Sequence, residues 1–573
     1  MQIEPKFRTL IDIFNESLAG IERMDTECLT IVRSDRQESL TFEQLRARAR
    51  DFAVWLIRSA GVRIGDKVAI LGKNRADWDH AMWGVVLAGG IPVLIDPERP
   101  VGGVTEHVTH TETRLIVMAD DYQDDDSRRE LKEFASSRDI ALIEMTVYEK
   151  ADLADNEVDE LLGKIPGQIE LDETAVILCT SGTTGDPREV ELTHENLGFN
   201  LQGSVKKVDI SAADTLGHIL PPHHSFGFTV GKLLPFCVGA ANVYTNKFRE
   251  IGELIRDHKI TIFCAVPALF TVLAKNVEDR LNKQKQEKPY LKLLDRHMPR
   301  QVGKGIIKKL GWEKVRFFLS GSAPMPKWVL DVFWRRGLRL YEGYGTTENS
   351  PVYGFNDNVR GLGSVGKPID TLFVKIVDEK EQTLRANQKG EIALGGPCIM
   401  KGYYKNTEAT EAVIRTDEEG VRWLLTGDLG HLDDNGDLHI TGRKKYVIVL
   451  PGGKNVNPER VESALSQAPF VAEILVVPGS WKDSTGIEQE VIKAIVRPAW
   501  DMIETQGRHS REDLHEKPKL LKSLLWQSIN DCQQKSRQLS GFERISSQHL
   551  EIRIEEFQKT STGKIKREAY MRV

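Results

Sequence analysis

Short apolar runs alternate with helical periodicity through the first two thirds of the chain. Lys67–Leu71 and Ile91–Ile95 are typical of buried strands, and residues 75–88 between them repeat apolar side chains at helical spacing. Strands alternating with helices predict parallel sheets joined by crossover helices. Residues 276–288 are highly charged and predict an exposed helix end followed by a loop. The same strand–helix order recurs around three later candidate strands, at Leu115–Met118, 260–264 and 315–319.

From about residue 360 the chain changes to short alternating runs. Runs at Phe373–Val377, 391–394 and 437–441 predict a β-rich subdomain. Asn435 and Gly436 stand between apolar runs, and this pair is a strong signal for a hairpin with a two-residue turn.

A third region begins near Arg443. Asn457 and Pro458 are a favourable N-cap and first helical residue for a helix over 459–465. The sequence predicts an α/β fold with a large N-terminal domain (1–442) and a small α+β C-terminal domain (443–573). The other elements expected in the small domain are strands at 474–477, 491–496 and 552–555 and a charged helix at 517–539.

Composition narrows the class of protein. A content of 40% hydrophobic and 28% charged residues is typical of a soluble globular protein, and a net charge of −6 argues against a nucleic-acid partner. The six cysteines show no C-x-x-C spacing, which predicts reduced thiols and gives no zinc signature. No secretory signal and no apolar run of about 18 residues is visible, so we expect a cytoplasmic protein without a transmembrane segment.

A loop rich in glycine and hydroxyl residues follows the apolar run 175–178. Glycine lets backbone N–H groups approach an anion, hydroxyls donate hydrogen bonds, and Arg188 adds a positive charge. The loop lacks the Lys-Ser/Thr pair that closes a P-loop, so it predicts a nucleotide site of another architecture. Its residues are Thr180, Ser181, Gly182, Thr183, Thr184, Gly185, Asp186, Pro187 and Arg188.

Further clusters of polar and small residues follow in a fixed order. Two histidines, His223 and His224, precede Phe226, and small residues follow the candidate strand at 315–319. Asp428 follows a tight turn, where a carboxylate suits a ribose diol. The clusters are 220–227, 320–324, 341–348, 426–429, 442–445 and 560–567.

In this order the clusters resemble the adenylate-forming superfamily of acyl-CoA synthetases, peptide-synthetase adenylation domains and luciferases. The resemblance extends from Leu40 to Arg567. It implies that a carboxylate attacks the α-phosphorus of ATP to give acyl-AMP and pyrophosphate, and that a thiol then displaces AMP. Bringing two anions together requires positioning and charge neutralisation.

The resemblance implies that ATP, Mg²⁺ and coenzyme A are bound. Ser181, Thr183 and Thr184 would hold the β- and γ-phosphates, Tyr344 would stack on adenine, and Asp428 would accept the ribose hydroxyls. Arg443 would assist at the ribose or phosphates. The residues assigned to ATP in this way are Thr180, Ser181, Gly182, Thr183, Thr184, Gly185, Arg188, Ser322, Ala323, Pro324, Glu342, Gly343, Tyr344, Gly345, Thr346, Asp428, Arg443 and Lys564.

The same resemblance implies the catalytic and acyl-binding roles. Lys564 would bridge the carboxylate and the α-phosphate, and Glu348 with Thr184 would hold Mg²⁺. His224 would lie near the acyl carboxylate. The remaining assignments are Phe226 and Phe228 as walls of an acyl pocket, Lys445 as the hinge about which the small domain rotates, and Gly452, Gly453 and Lys454 as a coenzyme A element.

One departure from the family concerns Arg188 and Glu189, where members usually carry Lys-Gly. Arginine keeps the cation with a larger planar head. We expect both side chains to point to solvent in a mobile loop; the alternatives are that Glu189 weakens ATP binding or that pyrophosphate leaves more readily.

Within the superfamily the chain is most similar to long- and medium-chain acyl-CoA synthetases, through 453–459 and the helical material at 269–319. We therefore expect an ATP-dependent carboxylate–CoA ligase acting on a fatty or similarly apolar acid. One alternative is an acyl-AMP ligase that delivers to an acyl carrier protein. A second is a degenerate nucleotide-binding regulatory protein, suggested only by Arg188 and Glu189.

Overall fold

Two mostly parallel sheets form the large N-terminal part of the protein. The structure is a computed structural model that describes residues 9–33, 37–148, 150, 153–180, 188–247, 250–357, 363–451, 454–482, 488–506, 509–536, 539–560 and 563–571.

The strands are numbered in chain order. They are β1 (Glu27–Val32), β2 (Gln37–Thr41), β3 (Lys67–Leu71), β4 (Ile91–Ile95), β5 (Leu115–Met118), β6 (Ala141–Glu144), β7 (Thr174–Thr180), β8 (Arg188–Thr193), β9 (Thr215–His218), β10 (Ala241–Thr245), β11 (Ile262–Ala265), β12 (Phe317–Ser320), β13 (Leu340–Tyr344), β14 (Gly354–Phe355), β15 (Phe373–Val377), β16 (Gly390–Gly395), β17 (Gly402–Tyr403), β18 (Ile414–Thr416), β19 (Arg422–Leu432), β20 (Leu438–Arg443), β21 (Ile448–Leu450), β22 (Lys454–Val456), β23 (Val471–Lys482), β24 (Glu488–Pro498) and β25 (Leu550–Ile552).

The α-helices are numbered in the same way. They are α1 (Leu10–Ala19), α2 (Phe42–Arg58), α3 (Ala76–Leu87), α4 (Val101–His110), α5 (Asp125–Ser137), α6 (Asp155–Gly163), α7 (His194–Val208), α8 (Leu234–Cys237), α9 (Ile251–Asp257), α10 (Pro267–Glu287), α11 (Tyr290–His297), α12 (Pro299–Leu310), α13 (Lys327–Arg335), α14 (Thr407–Val413), α15 (Pro458–Leu465), α16 (Trp500–Gln506), α17 (Arg511–Glu516) and α18 (Pro518–Lys535).

One sheet has eight strands in the order β14-β13-β12-β11-β9-β10-β1-β2, and the other has seven in the order β17-β8-β7-β4-β3-β5-β6. The inner strands are parallel, while β2, β14, β8 and β17 pair antiparallel at the ends. Strands β4 and β5 have the predicted bounds. Their side chains are almost entirely buried, because helices cover both faces of such a sheet. The predicted α/β class is confirmed.

The β-rich subdomain is an antiparallel sheet of β15, β16, β18, β19 and β20. The predicted hairpin around Asn435 and Gly436 is present between β19 and β20, with Leu432 opposite Leu438. The prediction of a two-residue turn is wrong. Residues 433–437 form the turn, since the Asp433 carboxylate accepts the N–H groups of Asn435 and Asp437 and so closes a longer loop.

The small C-terminal domain has its own apolar core, built around strands β23-β24-β25 and helices α15 and α18. The Asn457 side chain accepts the N–H of Glu459 at 3.0 Å, and Pro458 is the first residue of α15, as predicted. The Asn457 amide also donates to the carbonyl of Thr441, which ties the small domain to the end of β20.

Helices α10, α11 and α12 form an excursion between β11 and β12. The expectation of a loop at 276–288 is wrong, since α10 continues through Glu287. Leu281 is buried within this stretch. The packing of this one apolar side chain helps to continue α10 through residues whose charged composition suggested a loop. Within the described part of the chain, no helix combines the length and apolar character needed to cross a membrane.

Candidate active site

Polar segments follow three strands of the eight-stranded sheet at one edge. Strands β9, β11, β12 and β13 run parallel, so their carboxyl ends meet at that edge. The histidine segment follows β9, the small-residue segment follows β12, and the segment 345–348 follows β13. The topology therefore brings three of the predicted clusters together.

The segment after β12 is held by Glu342 of β13. The N–H of Met325 donates to Oε1 of Glu342 at 2.8 Å, and burial raises the pKa of this carboxyl to about 7. Ser322 has φ +72°, a conformation that costs free energy for a residue with a side chain. Ser322, Ala323 and Pro324 thus form a fixed bend after β12, and their assignment to a flat-ligand pocket stays a prediction.

Gly345 is required by a close backbone approach. A Cβ at this position would lie 1.5 Å from the carbonyl oxygen of Pro351, so a larger residue would displace the segment that carries Tyr344, Thr346 and Glu348. Thr346 caps the short turn that follows, through the Asn349 side chain.

Asp428 lies where Tyr344 and Arg443 meet. The Tyr344 hydroxyl donates to one carboxylate oxygen at 2.8 Å, and Nε of Arg443 lies 3.0 Å from the other. Arg443 is directly opposite Asp428 in the β19–β20 ladder, and the charge of Asp428 raises its pKa. Each carboxylate oxygen keeps a further lone pair, so this nearly buried acid can still accept a diol.

Glu348 is connected to Arg188 through Tyr403. The Tyr403 hydroxyl donates to Oε1 of Glu348 at 2.9 Å, and the Arg188 guanidinium lies 4.9 Å from the centre of the Tyr403 ring. Mg²⁺ usually takes one or two carboxylates together with phosphate oxygens and water. A partly exposed carboxylate connected to Arg188, the last residue of the predicted phosphate loop, fits that requirement.

The expectation that Arg188 and Glu189 both point to solvent is wrong. They are consecutive residues of β8, so their side chains leave opposite faces of the sheet. Arg188 packs on Tyr403, while Glu189 is only 6% exposed and faces α4. The carboxylate is thus directed away from Arg188, which removes the reason for expecting it to weaken ATP binding.

Two histidines of α4 hold Glu189. Nδ1 of His107, which is fully buried, lies 2.6 Å from one carboxylate oxygen, and Nδ1 of His110 lies 3.0 Å from the other. Burial acts to raise the pKa of Glu189, but the hydrogen bond and charge of His107 and the charge of His110 outweigh it, so the pKa is below its usual range. This cluster fixes the strand that leaves the phosphate loop.

We expect His107→Leu to lower the free energy of unfolding by about 3 kcal/mol, because it takes the principal partner from a buried carboxylate. His110→Leu is the matched control: its side chain is 43% exposed, and the loss should stay below about 1 kcal/mol. Thermal and urea unfolding measure both. Equal losses in the two variants would contradict the buried pair.

The histidine segment places Phe226 beside the small residues that follow β12, and His224 lies two residues before it in the chain. Burial, His223 and the charge of Lys564 lower the pKa of His224 to about 3, so its imidazole is neutral at pH 7. A Cβ on Gly321 would lie 3.2 Å from the Phe226 ring, so this ring covers the backbone at the end of β12.

The assignment of Phe228 to a pocket wall is wrong for this structure. Its side chain is completely buried in the main apolar core. Residues 227–233 form a π-helix, which directs Phe228 inward while Phe226, just before it, stays partly exposed.

Lys564 of the small domain lies at the same site. It is held on a tight turn, in which Thr560 N donates to the Lys564 carbonyl at 2.8 Å. Its side chain is solvent-accessible and close enough to Arg443, Glu459 and Asp428 to interact with their charges. Partial burial and the charge of Arg443 lower its pKa to about 8, against the attraction of Glu459 and Asp428.

Other predicted residues are only partly described. Thr180 ends β7 opposite Arg188, whereas Ser181, Gly182, Thr183, Thr184 and Gly185 lie outside the described residues, as do Gly452 and Gly453. Lys454 is exposed at the start of β22, with its amine 5.1 Å from the centre of the Phe542 ring. Lys445 lies in a short turn after β20, with its amine 3.4 Å from Glu568.

Sequence reasoning did not find three residues of this region. Tyr403 joins Glu348 to Arg188, Glu459 acts on Lys564, and His107 holds Glu189. The sequence around Tyr403, a tyrosine after a glycine, has no distinctive local pattern. The same holds for Glu459, an acid at the start of a helix.

Comparison with known proteins agrees with this fold. The model of the AMP-binding enzyme family matches residues 21–404, and the model of the AMP-binding enzyme C-terminal domain matches residues 445–573. The chain belongs to the AMP-binding enzyme family. Its class is that of the acid–thiol ligases.

Among its relatives, the chain is 26% identical to a chloroplastic long-chain-fatty-acid–[acyl-carrier-protein] ligase of Arabidopsis thaliana, over 86% of this chain and 76% of the relative. It is 24% identical to a long-chain-fatty-acid–CoA ligase of Escherichia coli O157:H7, over 83% and 84% of the two chains. The crystal structure of ATP-bound MatB from Rhodopseudomonas palustris has the same fold, with a TM-score of 0.73 at 21% identity over 98% and 99% of the two chains.

Proposed function

We propose that this protein is an ATP-dependent carboxylate–CoA ligase that activates a fatty or similarly apolar acid as its acyl-adenylate and then forms the thioester. The observation that carries the proposal is that Lys564 of the small domain interacts electrostatically with Asp428 and His224 of the large domain and with Arg443 at the boundary between the two domains. These residues suit the joining of a carboxylate to a nucleotide phosphate. Lys564 supplies a cation, Asp428 can accept the ribose diol, and His224 supplies a neutral imidazole.

In the first step a carboxylate oxygen of the acid attacks the α-phosphorus of ATP, and the bond to pyrophosphate breaks. Asp428 accepts the ribose hydroxyls, and the Ser322–Pro324 bend and Tyr344 hold the base. Lys564 stabilises the negative charge shared by the carboxylate and the α-phosphate, and neutral His224 can hydrogen-bond the carboxylate without competing for the lysine. Glu348 and Thr184 would hold Mg²⁺, which neutralises phosphate charge.

In the second step a thiol sulfur attacks the acyl carbon, and AMP leaves. Lys564 occupies the site in the present arrangement, so the small domain must rotate to admit a thiol. The turn at Lys445 joins the two domains and is the hinge that we propose, and the loop before Lys454 is the proposed coenzyme A element.

An apolar acid is supported by the partly exposed Phe226 ring against Gly321 and by the long-chain relatives. The relative from Arabidopsis thaliana is named as a ligase to acyl carrier protein, so a carrier-protein thiol is the second candidate acceptor. The regulatory alternative rested on Arg188 and Glu189. The direction of Glu189 away from Arg188 leaves that alternative without support.

The test is release of AMP from Mg-ATP with acids from acetate to palmitate and with aromatic acids, each with and without coenzyme A. AMP release that needs both an apolar acid and coenzyme A supports the proposal. Pyrophosphate exchange without coenzyme A turnover favours a carrier-protein acceptor, and no response from any acid contradicts both.

We expect Lys445→Pro to slow thioester formation by about tenfold or more and to change acyl-adenylate formation by less than about threefold. Proline fixes φ near −65° and so stiffens the turn about which the domain rotates. Pyrophosphate exchange and single-turnover thioester formation separate the two steps.

Lys445→Ala is the control, since it removes the same side chain and keeps backbone freedom; both steps should proceed at near-native rates. Equal loss of both steps in Lys445→Pro would contradict the hinge.

A further inference from the structure

Helix α11 presents two of its apolar residues, Tyr290 and Leu293, to solvent and buries an acid. Tyr290 is 65% exposed and Leu293 is 64% exposed, and Met298, just after the helix, is 48% exposed. The one residue of α11 that is buried is Asp295. A surface helix of a globular protein ordinarily has the opposite arrangement, with the apolar side chains inward.

Buried ion pairs hold the helix in this orientation. Asp295 pairs with Arg336, whose side chain is 2% exposed, and with Lys285 at 2.7 Å. Arg336 also donates to Glu278 of α10 at 2.7 Å. Gly303 of α12 packs directly on the backbone of Arg336, where a Cβ would lie 1.9 Å from its carbonyl oxygen. The apolar side chains are therefore held outward by the fold.

The same excursion concentrates positive charge. Residues 280–314 contain eleven Lys and Arg against three Asp and Glu, in a chain whose net charge is −6. Ten of these cations are exposed, and within the described part of the chain none has a carboxylate at ion-pair distance. They are Arg280, Lys283, Lys288, Lys292, Arg296, Arg300, Lys304, Lys308, Lys309 and Lys314.

We propose that the α11–α12 face, defined as Tyr290, Leu293 and Met298 with the exposed cations of α11 and α12, docks the protein on an anionic phospholipid surface. Exposed apolar residues among cations are the composition of interfacial helices, whose apolar side chains enter the boundary between headgroups and acyl chains while the cations contact lipid phosphates.

A lipid surface fits this face better than a protein partner does. Arg300, Lys304 and Lys308 recur every fourth residue along α12, and Lys292 and Arg296 do so along α11, so the cations are spread over two helices. A layer of phosphates can meet them all, whereas a protein partner would have to match their positions. Because the rest of the chain is acidic, attraction to an anionic surface must come from this face.

The test is sedimentation of the full-length protein with vesicles of phosphatidylcholine and phosphatidylglycerol in equal amounts, compared with phosphatidylcholine alone. We expect at least tenfold tighter binding to the anionic vesicles at low salt and most of it to be lost at 0.5 M NaCl, because salt screens the phosphate contacts. Equal binding to both vesicle types, or no binding to either, would overturn the proposal.

Two variants locate the surface. Tyr290→Ser with Leu293→Ser, and separately Lys304→Glu with Lys308→Glu, should each weaken vesicle binding at least tenfold; all four side chains are exposed, and unchanged circular dichroism verifies folding. The matched control is Phe373→Ser with Lys380→Glu and Lys389→Glu, which removes one exposed apolar residue and reverses two exposed cations on the β-rich subdomain. Equal loss in the control would overturn the assignment to this face.

A final arm adds a purified acidic acyl carrier protein. If it binds the native protein and the α11–α12 variants lose that binding while keeping vesicle binding, the face is a protein-docking surface and the lipid proposal is wrong. Vesicle binding is read without ATP or an acid, so its outcome is independent of the proposed ligase activity.

Discussion

Replacing Lys564 by alanine is expected to slow acyl-adenylate formation by about 10²–10³-fold, while thioester formation from supplied acyl-adenylate continues at a near-native rate. Lys564 is the cation that the small domain contributes beside Asp428 and His224, and a fixed charge at a reacting centre is worth about 10²–10³-fold in rate. Charge develops there only in the first step. Pyrophosphate exchange measures that step, and acyl-adenylate supplied with coenzyme A measures the second.

Lys566→Ala is the matched control. Lys566 is an exposed lysine two residues along the same turn, and its N–H donates to the carbonyl of Gln558. Its loss should leave both steps within about twofold of the native rates, as expected for a surface substitution. Native adenylation by Lys564→Ala, or equal loss in both variants, would contradict the role given to Lys564.

The pH dependence of adenylation gives a second test of the role of Lys564. Partial burial and Arg443 lower the pKa of Lys564 from about 10.5 to about 8, so the amine loses its charge as the pH rises through 8. Because the charged form is the active one, kcat/KM for adenylation should fall above pH 8. Lys564→Arg, which stays charged, should remove that alkaline limb even where its rate is lower.

The sequence predicted those parts of the fold that depend on local patterning. Strands β4 and β5 and the Asn457 cap agree with the structure, because continuous apolar runs and capping residues act over a few positions. The candidate site residues came from the family resemblance. The eight-stranded sheet explains why the segments after β9, β12 and β13 lie together, since these parallel strands end at the same edge.

The errors arose where distant segments decide the outcome. Glu189 was expected in solvent, but the antiparallel pairing of β7 with β8 directs its side chain toward α4. There it contacts His107, which is 82 residues away in the sequence. Phe228 was placed in a pocket, but the π-helix turns it into the core. The length of α10 depends on the burial of Leu281 and on the ion pairs of Arg336 with Glu278 and Asp295. Neither can be predicted from the local sequence pattern.

Replacing Glu348 by glutamine is expected to slow the use of Mg-ATP by about 10²–10³-fold and to raise the Mg²⁺ concentration needed for half-maximal activity. The change removes one charge and keeps the shape of the side chain. In the native protein the Tyr403 hydroxyl donates to Oε1 of Glu348 at 2.9 Å, and it can donate in the same way to the amide oxygen of glutamine. The loss should therefore report the charge. Initial rates of pyrophosphate exchange over a range of Mg²⁺ concentrations measure both quantities.

Tyr403→Phe provides the graded comparison. It keeps the Glu348 carboxylate and the ring on which Arg188 packs, and removes only the hydroxyl that orients the acid. A positioning role predicts a smaller loss, about tenfold, with a modest rise in the Mg²⁺ requirement. If Glu348→Gln left the Mg²⁺ requirement unchanged, the metal would be held elsewhere. If Tyr403→Phe slowed the reaction as much as Glu348→Gln, the Tyr403 hydroxyl itself would act in the reaction. The contacts from Arg188 through Tyr403 to Glu348 would then have a catalytic role and would not only position the carboxylate.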